Sequence, residues 1–312
     1  MYQNSPLNSP LVTPLLINLQ ENLKISIKEN YEILGLIGQG SYGYVYKILK
    51  KSSNILYALK IIPIPNSFDS DEIVTNALKE IGILSRCNHP NIIDIYGYEV
   101  NSNEVCFVMD LMEHNLQSYI SFNNVTPLFI ENIFFSILDA LHYLNTNFNI
   151  NHRDIKPSNI LIEPQTNEIK LSDFGTIKGC KGILTAKVAG TKSYISPQLY
   201  KSLIENDDFQ VTANFSKSDV WSLGMTILKL LKGEEFKGSE ILCKDKLEFN
   251  KFMLDLENET PQTILKYLKL MLVWEEENRP DVIELKKICD SFQKQKETNN
   301  EGYIFTCAFN LR

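Results

Sequence analysis

The chain has 312 residues, 44% of them hydrophobic and 22% charged, with a formal net charge of −7. Its length allows one large domain or two smaller ones around a buried core, its composition is that of a globular protein, and its acidic balance argues against nucleic acid as a partner. Six cysteines (Cys87, Cys106, Cys180, Cys243, Cys289, Cys307) are scattered without a CxxC pair, no basic-then-apolar leader opens the chain, and no run approaches the ~18–20 apolar residues that cross a bilayer, so the expectation is a cytoplasmic protein with reduced thiols, nuclear access and no membrane partner.

Residues 1–30 begin MYQNSPLNSPLVTP, where Pro6, Pro10 and Pro14 break any regular period, and predict a flexible tail. Ser5, Ser9 and Thr13 each precede a proline, and Leu15 to Leu23 are apolar enough to dock onto a surface. From Tyr31 the chain alternates apolar and polar residues, punctuated by glycine and by Ser52-Ser53-Asn54, which predicts three strands. Gly38, Gly40 and Gly43 form GxGxxG in the first turn. A dinucleotide fold would open a helix at the third glycine. The aromatic and β-branched Tyr44-Val45-Tyr46 instead continues as a strand, which sets a dinucleotide oxidoreductase aside. Lys60 lies in the third strand beside Ala58.

A polar loop over 63–71 leads to a helix in DEIVTNALKEIGILSRC, with Asp71 placed to cap it and Glu72 at the positive end of its dipole. Ile92 to Tyr98 and Val105 to Met109 read as two more strands, making five. LQSYI and IENIFFSILDALHYLNTN carry apolar residues at i, i+3, i+4 and i+7 and read as helices. Next come NHRDIKPSN and KLSDFG, separated by the short alternating runs ILIE and EIKLS, which predict a hairpin returning Asp173 to the neighbourhood of Asp154. Two carboxylates (Asp154, Asp173), an ammonium (Lys156) and a carboxamide (Asn159) gathered this way supply what phosphoryl transfer needs. They offer oxygen ligands for a divalent metal, a cation for the moving group and an acceptor for a hydroxyl proton. Beyond Gly175 the chain is rich in Gly and Lys, Asp219-Val220-Trp221 opens an apolar helix, and the end reads GYIFTCAFNL, an added strand or a docking segment.

His152-Arg153-Asp154 with Asn159 five residues after the Asp, and Asp173-Phe174-Gly175, match the catalytic-loop and Asp-Phe-Gly signatures of eukaryotic protein kinases. Five such identities (His152, Arg153, Asp154, Lys156, Asn159) arise by chance on the order of once in ten thousand chains of this length, so a merely structural loop is set aside. The chain therefore resembles a eukaryotic protein kinase of the Ser/Thr type, and GTKSYISP, KPSNIL and SDVWSLGMTIL are most similar to the MAP kinase kinase group. The resemblance covers roughly residues 31–292. It implies an α+β, two-lobed kinase fold: a small β-rich N-lobe and hinge over 31–112, a larger, mainly helical C-lobe over 113–292, and a C-terminal tail over 293–312. It implies ATP and Mg2+ in the cleft and a protein substrate phosphorylated on Ser or Thr, with Tyr added for a dual-specificity enzyme, in a signalling cascade.

Carried over position by position, the resemblance makes Asp154 the group that orients the substrate hydroxyl and accepts its proton, and Lys156 the cation that steadies the transferring phosphoryl. Asn159 and Asp173 become the magnesium ligands, Thr191 the threonine that touches the catalytic Asp and Lys, and Lys60 the phosphate-binding lysine paired with Glu80. Ile37, Gly38, Gly40, Ser41 and Gly43 would cover the nucleotide, while Val45, Ala58 and Leu161 would sandwich adenine. Met109 would be the gatekeeper, and the backbone at Asp110 and Met112 would meet adenine. Phe174 sets active or inactive packing, His152 is a packing residue and not the base, and Asp219 holds the catalytic loop from below.

Two positions depart from the family pattern. Ser196-Pro197-Gln198 replaces Ala-Pro-Glu, so the buried ion pair with a late arginine, here Arg279, becomes at most a hydrogen bond. Lys187 stands where many members carry the regulatory phosphoacceptor and is expected to repel Arg153; Thr185 is then the nearest target for an upstream kinase. These departures keep open a second reading, a kinase-shaped scaffold that holds nucleotide without turning it over.

Overall fold

The structure is a computed structural model that describes residues 19, 21–40, 43–65, 70–179, 182–205, 210–233, 236 and 238–298. Five strands form the small lobe: β1 (Tyr31–Gly40), β2 (Gly43–Lys50), β3 (Ile55–Pro63), β4 (Ile95–Val100) and β5 (Glu104–Met109). They pair antiparallel in the order β1-β2-β3-β5-β4. The Ser52-Ser53-Asn54 punctuation becomes the β2–β3 turn, with Asn54 in the left-handed region at φ 55° and its N–H donating to the Lys50 carbonyl at 2.9 Å.

Period-two alternation gives this sheet two apolar faces. One carries Ala58, Ile62, Val105 and Phe107, and against it packs α2 (Ser70–Leu84) through Val74, Ala77, Leu78, Ile81 and Leu84. The other carries Ile48, Leu59, Cys106 and Val108, capped by Ile27 and Tyr31. Asp71 and Glu72 occupy the first turn of α2, one residue inside its start.

Residues 21–30, assigned by sequence to a flexible leader, are folded. A helical turn at Glu21–Leu23 and α1 (Ile27–Asn30) lie along β4, where the Ile25 N–H donates to the Tyr98 carbonyl at 2.9 Å. Ile25 fills the space beside Gly97, where an added Cβ would stand 2.3 Å from Ile25 Cδ1, and Leu19 is buried next to Gly82 of α2. Residues 21–30 thus pack onto the small lobe ahead of β1. Residues 1–18, with Ser5, Ser9 and Thr13, lie outside the described residues, as does GYIFTCAFNL at the other end.

The larger lobe holds α3 (Leu116–Phe122), α4 (Pro127–Phe148), α5 (Pro197–Glu205), α6 (Phe215–Lys232), α7 (Ser239–Leu242), α8 (Lys246–Glu259), α9 (Gln262–Met271) and α10 (Val282–Thr298). The last runs six residues past the expected boundary at 292. In α4, Ile130, Ile133, Phe134, Ile137, Leu141 and Leu144 form one buried stripe, and Thr126 caps its start by accepting from the Phe129 N–H. Helix α6 is the centre of the lobe: every residue except Lys217, Leu231 and Lys232 is buried, and its buried polar groups are bonded, as with Asp219 to the catalytic-loop backbone and Ser222 to the Tyr194 carbonyl.

Short strands carry the remaining organisation. β6 (His114–Asn115), β8 (Ile160–Glu163) and β9 (Glu168–Leu171) form one sheet, and β8–β9 is the hairpin expected from ILIE and EIKLS. β7 (Ile150–Asn151) pairs with β10 (Lys178–Gly179), and β11 (Ile183–Lys187) pairs with β12 (Gln210–Asn214), each antiparallel. Cys87, Cys106, Cys243 and Cys289 are free thiols, while Cys180 and Cys307 lie outside the described residues. No described helix is long and apolar enough to cross a membrane.

Candidate active site

The hairpin brings the two signature motifs together, and His152 joins them. Its ring is fully buried; Nε2 donates to the Ser172 carbonyl at 3.1 Å and Nδ1 accepts from the Asp154 N–H at 3.4 Å, which assigns the Nε2–H tautomer. Burial depresses its basicity, so the ring is held neutral. Ser172 closes the link from the other side, its N–H and hydroxyl both donating to the Asn159 carbonyl at 2.9 Å. Arg153 and Asp173 stand in the left-handed region at φ 72° and 61°. Such conformations cost of order 1–3 kcal/mol and persist only where the surroundings impose them. For Arg153 the surrounding is Asp219 on α6, whose carboxylate accepts the main-chain N–H groups of His152 and Arg153, both at 2.7 Å. Burial pushes the Asp219 carboxyl up to about 7 even against those bonds.

Around this frame the charged groups converge. Lys60 on β3 places Nζ 2.8 Å from Glu80 on α2 and 3.0 Å from Asp173. Burial works against the Lys60 ammonium, but the two carboxylates outweigh it and keep it firmly protonated. Burial likewise would raise the Asp173 carboxyl, and the adjacent Lys60 instead holds it below the ordinary carboxylate range. Glu80 also accepts the Phe174 N–H at 3.2 Å, while Phe174 is fully buried edge-on to His152. Asp154 is engaged on both oxygens. Oδ1 accepts from the Thr191 N–H and hydroxyl at 2.8 and 2.9 Å, and Oδ2 faces Lys156 at 2.8 Å and the Asn159 amide at 3.0 Å. Lys156 also donates to the Thr191 hydroxyl at 2.6 Å. Lys60, Glu80, Asp154, Lys156, Asn159, Asp173 and Thr191 are thus one continuous network, linked through Ser172 and His152.

The metal donor set can be tested on these contacts. Asn159 spends both hydrogen bonds of its NH2 on Asp154, which turns its carbonyl oxygen away as a free acceptor, and Asp173 offers carboxylate oxygen. No group of three or more His, Cys, Asp or Glu placed to hold an ion occurs among the described residues. Two hard oxygen donors fit Mg2+, which keeps waters and shares phosphate oxygens instead of sitting in an all-protein cage.

The residues expected to line a nucleotide occupy neighbouring register positions on β1 to β5 and β8 to β9. Val45 pairs with both Gly38 and Lys60, Ala58 with Met109, and Leu161 with Lys170. Gly43 is required by the fold, because a Cβ there would lie 2.0 Å from the Ile61 carbonyl oxygen of β3. Among the described residues, a Cβ at Gly38 would meet nothing nearer than Val45 at 3.7 Å and one at Gly40 nothing within 4 Å, so packing against them explains neither. Ile37 is half exposed on β1, and Asp110 and Met112 follow β5 at the connection between lobes. Ser41 lies outside the described residues.

Three sequence expectations change or gain detail. Lys187 does not repel Arg153: its main-chain carbonyl accepts from Arg153 NH2, and Arg153 NH1 donates to the Thr176 carbonyl while its guanidinium lies 4.5 Å over Phe215. Side-chain charge was the wrong quantity, since β11 presents backbone to Arg153. Thr185 lies within the β11–β12 ladder, its hydroxyl 2.6 Å from that of Thr212. Gln198 does give the neutral contact expected, accepting from Arg279 NH2 at 3.2 Å, and its own amide donates to the Trp274 carbonyl at 2.6 Å. Arg279 is further satisfied by the carbonyls of Val273, Trp274 and Lys217 and by the Trp221 ring at 4.9 Å. Sequence reasoning missed Lys170, Asp94 and Tyr96, which meet at the connection between lobes. Lys170 stands on the polar side of the alternating run EIKLS, so nothing in the sequence sets it apart from a solvated lysine.

The sequence profile of the protein kinase domain matches residues 31–290. The chain is 32% identical over 213 residues to the dual specificity protein kinase FUZ7 of Mycosarcoma maydis, covering 67% of this chain and 46% of that protein. It is 30% identical over 207 residues to the dual specificity mitogen-activated protein kinase kinase dSOR1 of Drosophila melanogaster, covering 66% and 49%. With the MAP kinase kinase PBS2 of Saccharomyces cerevisiae it shares 33% over 215 residues, covering 66% and 30%. The chain spans half or less of the length of these relatives.

Proposed function

This chain belongs to the protein kinase family, matched over residues 31–290, and on that footing we propose that it transfers the γ-phosphoryl group of ATP to serine or threonine hydroxyls of protein substrates. The observation that carries the reading is the seven-residue network from Lys60 to Thr191. It places a locked carboxylate, two ammonium groups and two oxygen donors along one path. Phosphoryl transfer is accelerated chiefly by positioning and by charge placed where charge develops, and this network supplies both.

In this reading Asp154 holds the acceptor hydroxyl and takes its proton, fixed by the bonds from Thr191, Lys156 and Asn159. Lys156 steadies the moving phosphoryl, and Lys60, oriented by Glu80, meets the phosphates of the nucleotide. Asn159 and Asp173 would hold Mg2+, which when bound neutralises charge on the phosphate oxygens. Gly38 and Gly40 leave the backbone open to the phosphates. Val45, Ala58 and Leu161 enclose adenine beside Met109, and the backbone of Asp110 and Met112 meets its edge. The likeness to MAP kinase kinases supports a place in a signalling cascade and dual specificity, and the proposal adds a cytoplasmic setting and an upstream kinase acting on Thr185.

Turnover of labelled ATP with a generic protein acceptor and magnesium tests the reading. Asp154→Asn is expected to lower kcat by about 10²–10⁴-fold, the range for removing a positioned proton acceptor. Wild-type protein that binds ATP yet transfers nothing, indistinguishable from the Asn variant, would leave the scaffold reading in its place.

A further inference from the structure

Lys170 lies outside the catalytic network. It sits in β9 between the buried Ile169 and Leu171, and its side chain is only 10% exposed. An ammonium so far withdrawn from water needs compensating charge. Here there are two partners: Nζ is 2.7 Å from Asp110 Oδ2 and 2.8 Å from Asp94 Oδ2. Burial would lower the lysine's pKa, but the bonds from both carboxylates prevail and hold it above its ordinary range. Asp110 is gripped further, accepting from the Tyr96 hydroxyl at 2.6 Å and the Asp94 N–H at 3.1 Å, while its own N–H donates to the Asp94 carbonyl at 3.3 Å.

Strand β9 does not need this bridge to stay in place. Main-chain bonds already tie it to residues 91–93, from the Leu171 N–H to the Asn91 carbonyl at 2.8 Å and from the Ile93 N–H to the Leu171 carbonyl at 3.0 Å. What the bridge adds is a hold on Asp110, whose backbone the proposed function sets against adenine. The same strand leads within three residues to Asp173, and Lys170 faces Leu161 across the hairpin.

We propose that Lys170 is a positioning residue for the nucleotide: by bridging Asp94 and Asp110 it fixes the adenine-facing connection at a set distance from Asp173 at the phosphate end. The inference rests on the nucleotide-binding reading above. Without the ammonium, two carboxylates gathered on one cation repel each other, and the chain at Asp110 is pushed off its place.

Calorimetric affinities for adenosine and for Mg2+-ATP, with steady-state kinetics of the full chain, test it. Lys170→Met is expected to weaken adenosine and ATP by the same factor, about tenfold, because the defect lies at the base and not at the phosphates. KM for ATP rises in step while kcat stays within about threefold. Lys170→Arg keeps the charge and returns affinity to within about threefold of wild type. Tyr96→Phe, a milder change at a half-exposed ring, is expected to cost about two- to threefold in adenosine affinity and keeps the question answerable should the Met variant not fold. Unchanged adenosine affinity in Lys170→Met, or in Tyr96→Phe where that is the variant in hand, overturns the assignment. So does a loss confined to ATP, or a joint fall of kcat and melting temperature with KM for ATP unmoved. Wild-type protein that binds adenosine without transferring phosphate would sink the kinase reading and leave this comparison intact.

Discussion

At Gln198 a neutral amide does two things that a carboxylate could not do together: it accepts from Arg279 and donates to the Trp274 carbonyl. Gln198→Glu would recreate the charge pair usual in the family, yet it would set a carboxylate oxygen against that carbonyl at the present 2.6 Å. The expected result is a loss of about 1–3 kcal/mol, read as a melting temperature several degrees lower; a stabilised variant would refute the argument. Burial lowers the Arg279 guanidinium to about 10, so it remains a cation at neutral pH and its carbonyl partners stay necessary. A second single-residue effect concerns acidity. The folded value of Asp219, about 7, lies above the ~3.9 of an exposed Asp, so the folded chain binds this proton more tightly than the unfolded one. Its contribution to stability is therefore fully present below about pH 3.9 and is lost as pH rises through about 7. Asp219→Asn has nothing to titrate there. Its melting temperature, followed from about pH 5 to 8, is expected to lack that decline, and a slope equal to wild type would show that Asp219 does not titrate in this window.

Among the larger pieces, the β11–β12 ladder holds the segment between the Asp-Phe-Gly motif and α5 by main-chain pairing. Arg153, the cation that would receive a phosphate, is already taken up by the carbonyls of Lys187 and Thr176. A phosphate on Thr185 would add charge beside Lys187, two residues along the same face of β11, so we expect it to tune activity and not to switch it on. Thr185→Ala should retain at least about half of the turnover of wild-type protein not treated with phosphatase, and phosphatase should change the wild type no more than that; a drop beyond about tenfold in both would point to a phosphate-dependent switch. The sequence contains the charge of Lys187 but not that its backbone would do the contacting. That depends on β12, which lies more than twenty residues further along the chain. The leader was misread for a related reason. Leu15 to Leu23 are apolar enough to dock, and Leu19 does so, but what receives Leu19, Ile25 and Ile27 is space beside Gly82, Gly97 and the Ile48 cluster, all distant in sequence.

For the whole molecule, the two-lobed arrangement was legible because each layer announces itself locally. β-branched alternation with glycine turns marks the small lobe, helical stripes mark the large one, and the site residues between them lie in short, dense motifs. Lys170 was not legible, because a buried lysine differs from a solvated one only through partners on two other segments, Asp94 and Asp110. A site shared between lobes should also bind as a unit. At a hundred times its Kd, Mg2+-ATP would stabilise the folded state by about 2.7 kcal/mol, an increase of roughly 4–5 °C in melting temperature for a chain of this size. The increase is expected to shrink markedly when EDTA removes the metal; an equal rise with and without it would exclude Asn159 and Asp173 as ligands. The uncharged tie at Gln198 has a last consequence, for ionic strength. The Debye length contracts to about 3 Å in 1 M salt, which weakens exposed charge pairs but leaves a part-buried hydrogen bond to a neutral amide far less affected. The seat of α5 on Arg279 should therefore tolerate brine, and concentrated salt would first loosen exposed pairs that carry full charges, such as Lys269 with Glu257.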